Sequence, residues 1–285
     1  DAICGDGICQ ELVVAGPYGA GFPDRFGCSV DCWKFLDPDP CGTTIPLSPV
    51  INSVSLDFDA PLTIHSFGDF WRNTWATDNK LYTAWGDGEG FIDGRDFHVM
   101  GIGAISGTYP NLEGENSFVS EHLYPESKIN EKPGSLLAID DRLYLTGESN
   151  DHEGTFFIAY SDDQGITWTK SPGTWDLEGI NGLHPNFINM GKNFEFGGDY
   201  VYTIISNDQS VNQVYLSRVL KENILDYNQY EFYSGNDTWS LDSSDAVRIL
   251  PDNVIEPTEI HLTANYHPGV NRYLMITTQN VFDAP

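Results

Sequence analysis

Basic residues are scarce in this chain: 14 lysines and arginines stand against 42 aspartates and glutamates, so the formal net charge is −28 at pH 7. A surface of this sign repels phosphate groups, which argues against nucleic acids and anionic membranes as partners. A polyanionic polysaccharide would need basic residues concentrated at its binding site. The same charge also suits a protein that only needs to stay soluble in a salty or calcium-rich medium.

Long apolar runs are also missing, since no stretch approaches the roughly 18 residues of a membrane-spanning helix. The sequence therefore predicts no membrane insertion. The chain begins at Asp1 without a methionine, which is typical of a mature or excised product.

Cysteine is absent after residue 41. This clustering indicates a small disulfide-bonded module over residues 1–41 of a secreted or cell-surface protein. Zinc is the alternative, but C-x4-C and C-x3-C spacings without an interleaved histidine make a poor zinc site. We expect two disulfides among Cys4, Cys9, Cys28 and Cys32. Cys41 is left as a free thiol or as a bond to a partner chain.

The rest of the chain favours one large all-β domain over residues 50–285, because 28 glycines, 16 prolines and 13% aromatic residues suit many short strands and turns. A turn followed by an aromatic-rich strand recurs at Asp78, Asp140, Gly198 and Gly269. Tyr82, Tyr144 and Tyr202 take equivalent positions, 62 and then 58 residues apart. That period fits the four-stranded blades of a β-propeller with long loops.

The repeat predicts three strands in each of three units and two in a fourth. They are Asn73–Thr77, Lys80–Trp85 and Phe97–Ser106; Ser135–Ile139, Arg142–Thr146 and Phe156–Tyr160; Asn186–Asn189, Tyr200–Ile205 and Gln213–Val219; and Glu259–Asn265 and Arg272–Thr278. Val50–Phe58 is a candidate outer strand, and Leu220–Tyr227 is the one predicted helical turn. The count gives about four blades with the last incomplete. We therefore expect a five-bladed propeller, part of which lies either in the loops or in a further C-terminal region of a longer protein.

The segment Ser161–Trp168 reads S-x-D-x-G-x-T-W and predicts a tight hairpin turn. Asp163 is expected to accept hydrogen bonds from the turn's own amides, and Gly165 to take the positive φ of the bend. Trp168 is expected to cover the core of its blade. The octapeptide resembles the Asp-box of sialidase-like β-propellers, with an ordinary polar hairpin as the alternative. Either way its role is structural.

A second resemblance involves residues 67–88, 187–193, 227–232 and 282–285. These segments resemble a family of secreted bacterial propellers of unassigned function, distantly related to sialidases and to five-bladed glycosidases. The resemblance covers roughly residues 50–285 and implies a fold rather than an activity. The arginine triad, the Phe-Arg-Ile-Pro element and the Tyr–Glu pair of true sialidases are not found in the sequence, so sialic-acid hydrolysis is not implied.

Propeller topology sorts the loops between the two ends of the blades. The short turns at Asp78-Asn79 and Asp140-Asp141 and the Ser161–Trp168 turn are expected at one end. The long loops are expected together at the other end, around the channel mouth: His65–Asn73, Gly86–Asp96, Ser127–Gly134, Glu148–Gly154, Gly179–Pro185, Ser206–Asn212 and Val254–Glu259. That end gathers Asp69, Trp71, Arg72, Asp87, Asp93, Arg95, Lys132, Glu148, His152, His184, Glu256, Glu259 and His261.

These residue types suit carbohydrate chemistry. A glycoside hydrolase needs two carboxyl groups across a sugar, and Asp87 with Glu148 or Glu259 supplies such a pair. A lyase needs a base and a cation, for which His152 or His184 and Arg72 are available. The candidate catalytic residues are thus Asp87, Glu148, His152, His184 and Glu259. The candidate substrate-binding residues are Asp69, Trp71, Arg72, Arg95 and Lys132, with Trp71 and Trp85 as stacking surfaces for sugar rings.

Chance also places carboxylates and histidines at either end of so acidic a protein. The alternative is therefore a non-catalytic extracellular module that binds glycans or belongs to a larger surface assembly. No cofactor is expected, although the acidic loop Asp87–Asp96 offers oxygen ligands for calcium without matching an EF-hand. Asn236-Asp-Thr238 is an N-glycosylation sequon if the source is eukaryotic.

Overall fold

The chain divides into two units, residues 1–63 and 64–285. The computed structural model describes only residues of the second unit: 64–91, 97–119, 132–148, 156–173, 175, 177–180, 182–207, 213–250 and 262–276. The predicted cysteine module, with Cys41, and the candidate strand Val50–Phe58 lie outside these residues. None of the helices in this part of the chain is long and apolar enough to cross a membrane.

The first two sheets are antiparallel and four-stranded, each with its strands in sequence order. The first consists of β1 (Ser66–Trp75), β2 (Leu81–Phe91), β3 (His98–Thr108) and β4 (Asn111–Val119). The second consists of β5 (Pro133–Ile139), β6 (Arg142–Glu148), β7 (Phe156–Ser161) and β8 (Thr169–Lys170).

The third sheet has five strands and the fourth has two within the described residues. The third consists of β9 (Gly182–Phe187), β10 (Tyr200–Asn207), β11 (Gln213–Leu220), β12 (Glu231–Gly235) and β13 (Thr238–Ser240). The fourth consists of β14 (Thr263–His267) and β15 (Arg272–Ile276). The helices described are single 3₁₀ turns at Glu178–Ile180, Lys192–Phe194, Lys221–Asn223, Tyr227–Gln229 and Ser243–Asp245.

The predicted repeat matches the second strand of each sheet. Tyr82, Tyr144 and Tyr202 lie in β2, β6 and β10, and the helical turn after β11 is confirmed. The prediction that His65–Asn73 and Gly86–Asp96 are loops is wrong over most of their described length. These segments belong to β1 and β2, which are paired as far as Ser66 and Phe91. The strands β4, β12 and β13 were not predicted.

Strand β5 shows how the sheets stack, because all of its residues are buried. Leu136 and Ala138 join a core with side chains of the first sheet. Leu137 and Ile139 join a larger core with the third sheet. Burying each leucine side chain contributes about 1.5–3 kcal/mol. The second sheet is therefore packed on both faces, as a blade is between its neighbours.

The first strands of successive sheets lie side by side. The Phe187 amide donates to the Ser135 hydroxyl at 2.8 Å, which joins β9 to β5. Asn189 forms a parallel bridge with Asn265 in β14. With antiparallel sheets arranged around their first strands, the described part of the chain has an all-β, propeller-like fold.

The turns between the first and second strands meet at one end of the sheets, hereafter the turn end. The Thr77 hydroxyl donates to the Asp141 carboxylate, and the Asp141 amide donates to Asn193 at 3.3 Å. The Lys192 ammonium donates to the Asn79 carboxamide. These bonds join the first three sheets, which confirms the predicted meeting of the turns at Asp78-Asn79 and Asp140-Asp141.

The hairpin between β7 and β8 has the predicted turn geometry. The Thr167 amide and the Ser161 hydroxyl each donate to the Asp163 carboxylate at 2.8 Å. Gly165 has a φ of 83°. Trp168 is buried in the core between the first two sheets. The return strand, β8, begins at Thr169.

Candidate functional site

The sheets' opposite end, hereafter the site end, begins where β1 starts and β2 finishes. Their pairing is irregular between Phe67 and Asp69 and between Asp69 and Arg72. Phe70 has a φ of 68°, and Trp71 has a φ of 37°. A left-handed conformation at a non-glycine residue costs about 1–3 kcal/mol, and such strain is concentrated at functional sites. The strained bulge therefore marks this end as a candidate site.

Glycines on β2 make room for the bulge. A Cβ at Gly86 would lie 2.6 Å from Asp69 Oδ1 and 3.0 Å from the Phe70 ring. A Cβ at Gly88 would lie 2.2 Å from the Phe67 carbonyl oxygen. Only residues without a side chain permit the two strands to approach so closely.

Asn116 of β4 fixes the end of β2. Its carboxamide nitrogen donates to the Glu89 carbonyl at 2.8 Å and to the Phe91 carbonyl at 3.1 Å. Its oxygen accepts the Phe91 amide at 3.0 Å. Three hydrogen bonds from one side chain hold the backbone that carries Asp87.

Asp87 and Lys132 form an ion pair between the first and second sheets. The Lys132 ammonium also lies 5.6 Å from the centroid of the Phe70 ring. The Lys132 carbonyl accepts the Glu148 amide at 3.0 Å, which anchors the lysine backbone to the end of β6. Two sheets thus contribute to one charged cluster.

Asp69 lies beside this pair and is half-buried. Burial raises the pKa of its carboxyl; Lys132 lowers the pKa, and the negative charge of Asp87 raises it, with a net upward shift. Asp69 Oδ1 is buried and has no hydrogen-bond partner among the described residues. The cluster therefore contains two carboxyl groups in different environments, one desolvated and one paired with a cation.

Trp71 and Trp85 differ in what they can offer a ligand. The Trp71 indole donates to the Gly68 carbonyl at 2.9 Å, and its half-buried ring lies 5.4 Å from that of Phe91. Trp85 is completely buried, so its predicted role as a stacking surface is wrong. The physical reason is its position on β2, where its ring fills the space above Gly101.

Arg72 is buried, with 7% of its surface exposed, and its Nη1 donates to the Leu262 carbonyl at 3.4 Å. Burial lowers the pKa of its guanidinium to about 10. Arg72 therefore connects the first sheet to the start of the fourth.

The structure describes only some of the other predicted site residues. Glu148 ends β6 beside Lys132, and the His184 backbone belongs to β9, while its side chain is outside the described residues. His152, Glu259 and Arg95 lie outside them as well, as do Cys4, Cys9, Cys28 and Cys32. Asn236 is exposed in the turn between β12 and β13. No group of three potential metal ligands occurs in the described part of the chain, and residues 92–96 of the proposed calcium loop are not described.

The sequence interpretation missed Phe70, Gly86 and Asn116. The one available signal was the density of glycines at positions 86, 88 and 90, which is typical of close backbone approach.

No curated protein matches this chain. Among solved structures, it is similar to a candidate hydrolase from Bacteroides ovatus ATCC 8483, with 11% identity and a TM-score of 0.39, over 61% of this chain and 54% of that one. It is also similar to a family 117 glycoside hydrolase from the marine bacterium Zobellia galactanivorans, with 15% identity and a TM-score of 0.35, over 60% of this chain and 56% of that one. The chain thus spans about half the length of each.

A family profile covers much more of the sequence. Residues 54–283 match the family described as Domain of unknown function (DUF4185), and the chain belongs to that family.

Proposed function

We propose that the protein is a secreted, carbohydrate-directed propeller of five blades whose glycoside hydrolase-like site lies at the channel mouth. The observation that carries the proposal is the juxtaposition of Asp69 and Asp87. Burial raises the pKa of Asp69, while Asp87 is ion-paired with Lys132. Two carboxyls whose environments differ in this way suit the acid and base roles of glycoside hydrolysis.

In the proposed reaction Asp69 is the general acid. Its proton passes to the glycosidic oxygen as the bond from that oxygen to the anomeric carbon breaks. Asp87 is the carboxylate that attacks the anomeric carbon or takes a proton from the attacking water. Water supplies the hydroxyl of the new reducing end. If Asp87 attacks the anomeric carbon, Asp69 takes a proton from the water that then cleaves the glycosyl ester and frees Asp87. If Asp87 instead takes the proton of the attacking water, it releases that proton to solvent and Asp69 is reprotonated from solvent. Each proton transfer of this kind contributes about 10²–10⁴-fold to the rate.

The site favours a neutral glycan. Lys132 is paired with Asp87, and Arg72 is buried against the Leu262 carbonyl. The net charge of −28 repels polyanions. The half-buried ring of Trp71 offers a face on which a sugar ring stacks.

A polysaccharide lyase is the less favoured function. It requires a cation beside the substrate carboxylate, and in this cluster Lys132 already neutralises Asp87. Glu148, Glu259, His152, His184 and Arg95 remain proposed members of the same mouth. The disulfide module, calcium in the Asp87–Asp96 loop and a partner or further segment at Cys41 or the C-terminal edge are likewise proposals from the sequence.

The test is release of reducing ends from a panel of neutral and anionic polysaccharides. We expect hydrolysis of a neutral member, and a loss of about 10²-fold or more in both Asp69→Asn and Asp87→Asn. Asp162→Asn is the matched control. Asp162 also forms an ion pair, 2.6 Å from Arg142 Nε, but this pair lies outside the site. Unsaturated products would overturn hydrolysis in favour of a lyase. Glycan binding without turnover would overturn it in favour of a binding module.

A further inference from the structure

Contacts with β6 hold the backbone of Lys132 in place. Its carbonyl accepts the Glu148 amide at 3.0 Å, and Pro133, which follows it, pairs with Gly147 in the first register position of β5 and β6. A Cβ at Gly147 would lie 3.2 Å from the Lys132 oxygen, so the glycine permits this close packing. The backbone of Lys132 therefore belongs to the second sheet.

The side chain of Lys132 reaches the first sheet. Its ammonium pairs with the Asp87 carboxylate and lies over the Phe70 ring. Phe70 is part of the strained bulge, directly after Asp69. Only 28% of the Lys132 side chain is exposed, against 44% of that of Asp87. The lysine thus pairs with Asp87, lies over the residue that follows Asp69, and turns little of its surface to solvent.

The charges around the pair show what would happen without this lysine. The two carboxyl groups come from the first sheet, Asp69 from β1 and Asp87 from β2. The second sheet contributes Lys132, just before β5, and Glu148, at the end of β6. The remaining charge is that of Arg72, which bonds to the Leu262 carbonyl. Removal of Lys132 would leave two neighbouring carboxylates. The Asp87 carboxylate would then lose the contact that holds it across the sheet boundary, and its negative charge would lie near Asp69 without a cation beside it.

We infer that Lys132 is a positioning residue: it pairs with Asp87 across the boundary between the two sheets, lies over the ring of Phe70, and so holds the Asp87 carboxylate in place beside Asp69. This assignment replaces the substrate-binding role expected from the sequence. Its catalytic meaning depends on the proposed function, whereas its effect on the carboxyl pair does not.

The first test needs no substrate. Carboxyl carbons of ¹³C-labelled aspartate are followed by NMR through a pH titration, and Asp69→Asn assigns the Asp69 signal. In Lys132→Met the Asp69 carboxyl is expected to titrate at higher pH, because the nearby cation is gone. Lys132→Arg is expected to restore the wild-type titration. Lys221→Met is the matched control, since Lys221 lies 6.0 Å from the centroid of the Phe194 ring, outside the cluster.

An unchanged Asp69 titration in folded Lys132→Met would overturn the inference. Asp87→Asn provides an independent variant should Lys132→Met fail to fold. With the Asp87 charge removed and Lys132 retained, Asp69 is expected to titrate at lower pH, and an unchanged titration there would also overturn the inference.

The second test uses a hydrolysed glycan. A positioning role predicts that Lys132→Met lowers kcat by about tenfold or more, changes KM little and moves the basic limb of the pH profile upward. A substrate-binding role predicts the opposite, a raised KM with an unchanged pH profile, and would overturn the inference. A shifted Asp69 titration in a protein that hydrolyses no glycan would support the positioning role and overturn the proposed function.

Discussion

The Thr74 hydroxyl donates a hydrogen bond of 2.7 Å to the carboxamide oxygen of Asn189, 115 positions along the chain. The same hydroxyl accepts the Ala138 amide at 2.9 Å. Asn189 also donates to the Leu136 carbonyl at 3.2 Å, and its own carbonyl accepts the Tyr266 amide at 2.8 Å. Asn189, which follows β9 of the third sheet, thus bonds to the first, second and fourth sheets.

Replacement of Asn189 should therefore weaken the packing of all four sheets against one another. We expect Asn189→Ala to lower the free energy of unfolding by about 1–3 kcal/mol, because partly buried polar groups lose their partners. Asn228→Ala is the matched control, since Asn228 is exposed and its side chain bonds to Asp226 two residues away. Thermal unfolding of both variants checks the prediction, and equal melting temperatures would contradict it.

The Asp163 turn should give a pH-dependent contribution to stability. Slight burial raises the pKa of the Asp163 carboxyl. Hydrogen bonds from Thr167 and Ser161 lower this pKa, and the net shift is downward. A folded-state pKa below the unfolded value of about 3.9 means that the contribution is present above about pH 4 and is lost as pH falls through the folded value.

We expect Asp163→Asn to lower the free energy of unfolding by about 1–2 kcal/mol at neutral pH, with little effect on ligand affinity. The difference from wild type should shrink in acid. Urea unfolding from pH 2.5 to 7 measures it, and Asp162→Asn on the same turn is the control. A difference that is constant with pH would refute the account, as would a selective loss of binding.

Asp69 should have the opposite pH dependence. Burial raises the pKa of its carboxyl, so its favourable contribution is present at low pH and is lost as pH rises through the folded-state value. We expect Asp69→Asn to raise the melting temperature at pH 7 and to have a smaller effect at pH 3. The gain in stability would accompany loss of activity, a trade-off known at strained sites. A lower melting temperature at pH 7 would contradict the assignment.

Gly86 should be required for the position of the Asp69 carboxylate. A Cβ there would lie 2.6 Å from Asp69 Oδ1, so we expect Gly86→Ala to displace the carboxylate and to cost about 1–3 kcal/mol. Gly198→Ala is the matched control, because a Cβ at Gly198 would meet nothing within 4 Å. Ligand binding and thermal unfolding are measured for both variants. Equal behaviour of the two would show that the close approach at Gly86 is unimportant.

The cysteines offer a test independent of the sheets. We expect two disulfides among Cys4, Cys9, Cys28 and Cys32, because all five cysteines precede residue 42. Mass spectrometry of peptides prepared without reductant identifies the bridges. Five free thiols or a bound zinc ion would disprove the module.

The sequence predicted the elements whose pattern repeats. Tyr82, Tyr144 and Tyr202 identified three second strands, because aromatic residues at a constant position in an alternating segment are typical of paired strands. The strand β4 was missed because its sequence, Asn111–Val119, is mostly polar and its residues are exposed or half-buried. Outer strands of this kind carry little of the hydrophobic alternation on which such predictions depend.

The site was harder to predict because its geometry contradicts local preference. The left-handed conformations of Phe70 and Trp71 are rare for aromatic residues. Residue propensities therefore do not predict the bulge that positions Asp69. The ion pair of Lys132 with Asp87, 45 positions earlier, was not predicted. Long-range pairs of this kind depend on how sheets stack, which a single sequence does not specify.

The hydrogen bonds at the turn end, between Thr77 and Asp141 and between Lys192 and Asn79, have an evolutionary consequence. They tie the first three sheets together at the turn end, so segments at the site end, apart from the Lys132–Asp87 pair and the Arg72–Leu262 bond, carry less of that task. Insertions and substitutions there should be tolerated more readily than at the turns. Divergent relatives can therefore acquire different ligand preferences while the bonded turns keep one length, and the two ends of the molecule can evolve at different rates.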